Sequence, residues 1–156
     1  MGIVRDIMAR DVLTVTPETS IAAAADLLGQ HRIGGMPVVD GEGTLVGMVS
    51  VYDIIGKRGK VVSDVMTVGA ITIDEDTTLP EMAQIMFERK IRRLPVVVEG
   101  KLVGLVSRGD LIRNFNLVHW VCGNCGHSES GYLQPLQCEH CGSSESFTLD
   151  QRPPGI

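Results

Sequence analysis

An internal repeat is the feature that most constrains how this chain can fold. Aligned with itself at an offset of 58 residues, and of 57 after one deletion, the sequence matches residues 4–55 to residues 62–112. Identical pairs include Val4/Val62, Asp6/Asp64, Met8/Met66, Thr14/Thr72, Ile33/Ile91, Pro37/Pro95, Glu42/Glu99, Gly43/Gly100, Gly47/Gly104, Ser50/Ser107 and Asp53/Asp110. Because a unit of roughly 50 residues is marginally stable alone, we expect the two copies to pack on each other.

Both copies predict the same order of elements. A short apolar run, at residues 13–15 and 71–73, predicts a strand that is followed by a helix. The helix of the second copy begins with a capping box at Thr78 and has Pro80 in its first turn, whereas that of the first copy is Ala-rich with Gly29 near its end. Two β-branched runs around a Gly-containing turn predict a hairpin, and a closing helix follows. The predicted fold is therefore an α/β (α+β) fold with two strand, helix, strand, strand, helix repeats.

Each closing helix opens with a Ser-x-x-Asp motif, Ser50 to Asp53 and Ser107 to Asp110. A serine at the N-cap with an acid three residues later satisfies the free amides of a helix end, so the motif predicts a capping box. A carboxylate that only accepts hydrogen bonds also suits the vicinal diol of a ribose. The motif alone leaves both interpretations open.

The repeats resemble a tandem pair of CBS domains over residues 1–116. The resemblance rests on "VRDIM" and "VSDVM", on "GGMPVV" and "RRLPVV", and on "GMVSVYD" and "GLVSRGD", each at corresponding points of the two copies. It implies one repeat at residues 1–58 and a second at residues 59–116. Such pairs form a pseudo-twofold module with two clefts between the repeats, and they commonly form homodimers. Many members of the family bind adenosyl ligands such as AMP, ADP, ATP or S-adenosylmethionine.

The resemblance also assigns roles to particular residues. It implies that Asp53 and Asp110 accept hydrogen bonds from ribose hydroxyls, with Ser50 and Ser107 beside the phosphate or ribose. As in the regulatory subunit of AMP-activated kinase, basic residues before the "LPVV" of the second repeat are candidates for the phosphates, because a guanidinium can bind phosphate through two parallel hydrogen bonds. These residues are Arg92 and Arg93.

The remaining candidate contacts are weaker. Arg92 and Arg93 can equally be exposed surface residues, and the first repeat has Gly34 and Gly35 at these positions, which suit an adenine edge, an uncharged ligand or a plain loop. The resemblance places six further residues at the adenine wall, although core packing is the favoured role for any single one of them. They are Thr14, Thr72, Met36, Pro37, Leu94 and Pro95.

The four cysteines form two Cys-x-x-Cys-Gly motifs, Cys122 with Cys125 and Cys138 with Cys141. This spacing predicts a tetrahedral tetrathiolate metal site. Disulfides are disfavoured because adjacent pairs of this kind would make a poor stabilising framework. Residues 117–156 resemble a zinc ribbon, and zinc is the expected metal. Iron is the alternative, since a tetrathiolate also accepts it and the motifs resemble those of rubredoxin, although the loop between them is shorter here.

Charge bears on the partner of the ribbon. The chain has a net charge of −5, and residues 117–156 contain four acidic residues and one basic residue. A zinc tetrathiolate adds roughly two further negative charges, which disfavours binding to nucleic acid phosphates. We therefore expect a protein partner for the ribbon.

The sequence contains no HExxH, GxSxG or Walker motif, so we expect no enzyme activity. Charged residues interrupt every apolar run, so we also expect a cytoplasmic protein without membrane contact. The predicted function is a regulatory protein that binds an adenine nucleotide and contacts a partner through its ribbon. A nucleic-acid-binding regulator and a rubredoxin-like iron protein are the alternatives.

Overall fold

The computed structural model describes residues 2–114 and 118–150. The helices are α1 (Val4–Ile7), α2 (Ile21–His31), α3 (Val51–Gly56), α4 (Val62–Val65), α5 (Leu79–Arg89) and α6 (Arg108–Asn114). The strands are β1 (Gly35–Val39), β2 (Leu45–Ser50), β3 (Arg93–Val98), β4 (Lys101–Ser107), β5 (Val118–Cys122), β6 (Ser128–Gly131) and β7 (Phe147–Asp150). Among these residues, no helix has both the length and the apolar character needed to cross a membrane. The mixed helix and strand content confirms the predicted fold class.

Local sequence signals explain where the two long helices begin and end. In α5 the hydroxyl of Thr78 accepts from the amide of Glu81 at 3.3 Å, and the Glu81 carboxylate accepts from the amide of Thr78 at 3.0 Å, which confirms the capping box. Both α2 and α5 end at a left-handed residue, Arg32 with φ 52° and Lys90 with φ 53°. Gly29 therefore lies inside α2, and the helix continues to His31.

Two antiparallel hairpins, β1 with β2 and β3 with β4, follow these helices as predicted. The predicted first strands are wrong. Residues 13–15 and 71–73 are extended segments that each make one isolated parallel bridge, Val15 to Val38 and Ile73 to Val96. The neighbouring strands contain Pro37 and Pro95, which lack the N–H that the preceding step of a parallel ladder requires, so the pairing does not extend toward residues 13 and 71.

The chain divides into two compact units. The first consists of Met1–Ile7, Asp76–Arg92 and Ser107–Ile156, and the second of Met8–Glu75 and Arg93–Val106. In the first unit the amide of Val4 donates to the carbonyl of Thr77 at 2.8 Å, so the start of the first repeat pairs with the helix start of the second.

The second unit contains the reciprocal pairing. The amide of Val62 donates to the carbonyl of Thr19 at 2.8 Å, so the start of the second repeat pairs with the helix start of the first. The core of this unit is aliphatic and is formed by Val15, Ala24, Leu28, Met36, Val38, Val49, Val62 and Val65.

Gly47 in β2 and Gly104 in β4 are identical in the two repeats because another chain segment crosses each of them closely. A Cβ atom added at Gly47 would lie 2.9 Å from the carbonyl oxygen of Thr67, and one added at Gly104 would lie 3.1 Å from that of Ala9. Both crossings are held by backbone hydrogen bonds, for example from the amide of Thr67 to the carbonyl of Met48 at 2.8 Å. The glycines therefore provide space for the crossing segments.

We expect Gly47→Ala to lower the free energy of unfolding by about 1–3 kcal/mol, because the new methyl group would push the crossing segment away. Gly41→Ala is the matched control, since no atom lies within 4 Å of the position a Cβ would take there. Urea unfolding followed by circular dichroism measures both variants. Equal stability of the two variants would show that the crossing does not require glycine.

Candidate functional site

The Ser50 to Asp53 motif forms a closed hydrogen-bonded group at the start of α3. The hydroxyl of Ser50 accepts from the amide of Asp53 at 3.2 Å, and Asp53 Oδ2 accepts from the Ser50 amide at 2.9 Å and from its hydroxyl at 3.1 Å. Asp53 Oδ1 forms an ion pair with Lys57 Nζ at 2.8 Å. Asp53 is 7% exposed, and it is a charged residue in an otherwise apolar set of buried residues.

The second repeat has the same arrangement at the start of α6. Asp110 Oδ2 accepts from the amide of Ser107 at 2.8 Å and from its hydroxyl at 2.9 Å. Asp110 Oδ1 forms an ion pair with Arg113 Nη2 at 2.7 Å. Both motifs therefore act as helix caps, and both carboxylates are held by a cation from their own helix or its end.

The charge of Asp53 is stabilised within the fold. Burial by itself would raise the pKa of this carboxyl, but the hydrogen bonds from Lys57 and Ser50 outweigh it and hold the pKa below its ordinary value. Asp53 is therefore a preformed hydrogen-bond acceptor over the physiological pH range.

Two shallow clefts lie within the second unit, at equivalent positions of the two repeats. The Thr14 cleft has a volume of about 210 Å³ and the Thr72 cleft a volume of about 190 Å³. The Thr14 cleft is lined by Arg10, Val12, Thr14, Val39, Gly43, Leu102 and Val103. The Thr72 cleft is lined by Leu45, Val46, Gly47, Gly69, Ala70, Thr72, Val97 and Gly100. Each cleft combines residues of both repeats, and the lining of neither includes Asp53 or Asp110.

The other candidates for the adenine wall lie in the core. Met36 and Leu94 are fully buried, and Pro37 and Pro95 are among the side chains with under 2% exposure. These four residues lie on β1 and β3 and pack the interior. Thr14 and Thr72 are thus the members of this set that reach a cleft.

Arg93 lies against the two glycines of the first repeat. A Cβ atom added at Gly34 would lie 2.8 Å from Arg93 Nη2, and one added at Gly35 would lie 2.7 Å from Arg93 Nη1. The structure therefore brings together two segments that the sequence suggested for different clefts. Arg92 is exposed, and its carbonyl accepts from the amide of Arg108 at 3.0 Å.

The four cysteines converge on one point of the first unit. Their sulfur atoms all lie within 4.8 Å of one another, and the Cys122 to Cys141 and Cys125 to Cys138 pairs are each 3.7 Å apart. A tetrahedral zinc site with metal–sulfur bonds of about 2.3 Å has sulfur–sulfur edges of about 3.8 Å. The thiol positions therefore fit a single tetrahedral metal ion, which would hold the two motifs together.

Equivalent turns position the two Cys-x-x-Cys motifs. The amide of Gly126 donates to the carbonyl of Cys122, and that of Gly142 to the carbonyl of Cys138, each at 2.9 Å. Both glycines have φ 75°, a left-handed conformation that side chains disfavour. Hydrogen bonds from Asn124 and from the amide of Ser143 lower the pKa of the Cys141 thiol to about 6, whereas burial and the neighbouring sulfur atoms raise the pKa of the Cys125 thiol to about 12, so Cys141 is ionised before Cys125.

The sequence did not single out four polar residues that the structure places at these sites. Lys57 and Arg113 pair with the motif aspartates, Arg10 lines the Thr14 cleft, and Asn124 donates to Cys141 Sγ at 3.5 Å. Lys57 and Arg113 could have been found from their spacing, because residues three or four apart on a helix face each other and these cations follow Asp53 by four residues and Asp110 by three.

The two repeats are similar in sequence to known CBS domains. The family model for the CBS domain matches residues 4–59 and 62–116. The CBS domain-containing protein YhcV of Bacillus subtilis is 39% identical over 121 residues, a match that covers 73% of this chain and 86% of that protein. Residues 117–156 lie outside both ranges of the family model.

Two solved structures share the fold. CBSX2 of Arabidopsis thaliana in complex with AMP has a TM-score of 0.70 at 37% identity, covering 72% of this chain and 95% of that chain. The CBS domain pair of MJ0100 in complex with 5′-methylthioadenosine and S-adenosyl-L-methionine has a TM-score of 0.68 at 33% identity, covering 74% and 96%.

The lowered pKa of Asp53 predicts a pH-dependent loss of stability in Asp53→Asn. A depressed native pKa stabilises the fold above the unfolded pKa and loses that contribution as the pH falls through the native value. We expect Asp53→Asn to lower the free energy of unfolding at pH 7 by about 1–2 kcal/mol, because bonds to a charged group are lost, and the difference to shrink below about pH 4. Urea unfolding from pH 3 to pH 7 measures this, with exposed Asp26→Asn as control. A difference that does not change with pH would contradict the charge-based explanation.

Proposed function

The chain belongs to the CBS domain family, and on that premise we propose that it is a regulatory protein whose repeats bind an adenosyl ligand. The observation that carries the proposal is the complete Ser-x-x-Asp arrangement in both repeats, on a fold shared with structures that contain AMP and S-adenosyl-L-methionine. A carboxylate is the type of acceptor that a ribose diol needs, and each repeat has one at this position. AMP, ADP, ATP and S-adenosylmethionine are the candidate ligands.

The other parts of the ligand have candidate contacts as well. The Thr14 and Thr72 clefts combine a hydroxyl with aliphatic side chains, which suits the edge and face of an adenine. Both clefts lie below the roughly 300–1,000 Å³ typical of ligand pockets, so binding would have to widen them. Arg92 and Arg93 are the candidate phosphate contacts, and Arg93 reaches the backbone of the first repeat through the space that Gly34 and Gly35 leave.

We propose that the four-cysteine site holds zinc and that the metal stabilises the ribbon. The core of the ribbon consists of Trp120, Cys122, Cys138 and Phe147, so two of these four buried residues are also proposed metal ligands. A core this small supplies little folding free energy without a metal. Reduced thiols of this kind persist in a reducing compartment, which supports a cytoplasmic location.

In this proposal the chain is a regulator without enzyme activity, and its ribbon contacts a protein partner. The negative charge of the ribbon supports a protein partner rather than a nucleic acid.

The chain also forms a homodimer in this proposal, since α3 exposes 81% of Tyr52 and 80% of Ile55 and thus leaves apolar surface for a second copy. A monomeric mass by sedimentation would exclude the dimer.

Calorimetric titration of the metal-loaded protein with AMP, ADP, ATP and S-adenosylmethionine tests the ligand. We expect micromolar binding of at least one of them, weakened about tenfold or more by Asp110→Ala because a charged hydrogen-bond acceptor is lost. Asp26→Ala, an exposed acid on α2, is the matched control. Absence of binding by well-folded protein would make both motifs helix caps alone.

Removal of zinc should unfold the ribbon and leave the repeats folded. Trp120 is the chain's one tryptophan and is 7% exposed in the ribbon core, so its fluorescence reports the ribbon alone. We expect a zinc chelator to shift its emission to longer wavelength while the helical circular dichroism is retained. Cys125→Ser should cause the same shift, whereas exposed Ser144→Ala should not.

Two results would contradict the zinc proposal. Unchanged Trp120 emission after complete metal removal would show that the ribbon folds without it. Visible ferric-thiolate absorption of protein matured in its own cell would identify iron instead.

Salt-dependent binding of DNA or RNA that is lost with residues 117–156 would replace the protein partner with a nucleic acid.

A further inference from the structure

The two motif aspartates differ in how accessible they are to a ligand. Both oxygens of Asp53 are already engaged, Oδ2 by Ser50 and Oδ1 by Lys57 at 2.8 Å. An ionised carboxylate oxygen has further lone-pair capacity, but the Asp53 side chain is 10% exposed and offers little surface for another donor. A ribose diol can therefore reach Oδ1 only if the Lys57 ammonium moves away.

Lys57 is held in this position by a second hydrogen bond. Its Nζ donates to the carbonyl of Val65 in α4 at 3.0 Å, so the ammonium joins the aspartate at the start of α3 to the end of α4. The backbone amide of Lys57 also donates to the carbonyl of Asp53 at 3.1 Å, which fixes where the side chain begins. Displacing the ammonium would break the ion pair and the bond to Val65 together.

Asp110 is less tightly closed. Its partner Arg113 is 68% exposed, and the Asp110 side chain is 22% exposed, so this ion pair faces solvent and contributes little. The two cations do not occupy corresponding positions of the repeats, since Lys57 aligns with Asn114 and Arg113 with Gly56. The tight closure at Asp53 is thus a property of the first repeat alone.

We propose that Lys57 is a latch that keeps the ribose acceptor Asp53 closed, so that the adenosyl ligand binds first through Asp110. This inference rests on the proposed function. Lys57 determines which of two equivalent carboxylates is available, and the chain consequently presents one open and one latched site. Removing the ammonium while keeping its aliphatic stem opens the second site.

The experiment measures AMP binding to the full, metal-loaded chain by calorimetry in an Asp110→Ala background, where Asp53 is the remaining motif carboxylate. We expect Lys57→Met to strengthen AMP binding about fivefold, which corresponds to the loss of one competing ion pair. Arg58→Met, the same charge change one residue further along an exposed stretch, should leave the affinity unchanged. Binding of 2′,3′-dideoxy-AMP should not respond to Lys57→Met, because this analogue lacks the diol that Asp53 would accept.

A second variant separates the latch from a structural role. Lys57→Gln keeps a hydrogen-bond donor near this position but carries no charge, and it should strengthen AMP binding if Lys57→Met is too unstable to measure. Unchanged or weaker AMP binding in both variants would overturn the latch and leave the proposed function in place. Equal gains for AMP and its dideoxy analogue would also overturn it. If none of AMP, ADP, ATP and S-adenosylmethionine binds to the wild-type chain or to either variant, the proposed function and the latch are overturned together.

Discussion

The repeats are joined by a reciprocal exchange of backbone hydrogen bonds, and the candidate sites depend on it. The amide of Leu45 donates to the carbonyl of Gly100, and the amide of Leu102 donates to the carbonyl of Gly43, each at 3.1 Å. These are equivalent residues of the two copies, so the exchange is a local twofold relation. Two of the four residues line each cleft, which means that the pairing that joins the hairpins also forms both clefts.

Features that depend on residues close in sequence could be predicted. Features that depend on which of the two repeats a segment pairs with could not. The capping box at Thr78, the hairpins and the clustering of the cysteines depend on short spacings and are present as predicted. The pairing of each repeat's start with the other repeat involves segments that are nearly identical in both copies. The local sequence pattern therefore cannot show whether the start of a repeat pairs with the other copy or with its own. The cations that pair with Asp53 and Asp110 were also not predicted, because Lys57 and Arg113 do not occupy equivalent positions of the two repeats.

The ribbon illustrates a second limit of the sequence. Cysteine spacing specified the ligand set, because four thiols at these positions have few other uses. The turns around them required φ values near 75° at Gly126 and Gly142, which glycine after each second cysteine also signalled. Asn124 had no such signal. Its amide reaches a cysteine of the opposite motif, and that contact exists only after the two motifs have folded together.

The divergence of the two repeats at Gly35 and Arg93 follows from their position near the twofold relation. These are equivalent residues, and they contact each other, as Thr44 and Lys101 also do through a backbone bridge. A residue in contact with its own counterpart cannot be a large cation in both copies, because two guanidinium groups would compete for one space and repel each other. At this pair one repeat supplies the space and the other the charge, so two equivalent positions of the second unit differ in their chemistry.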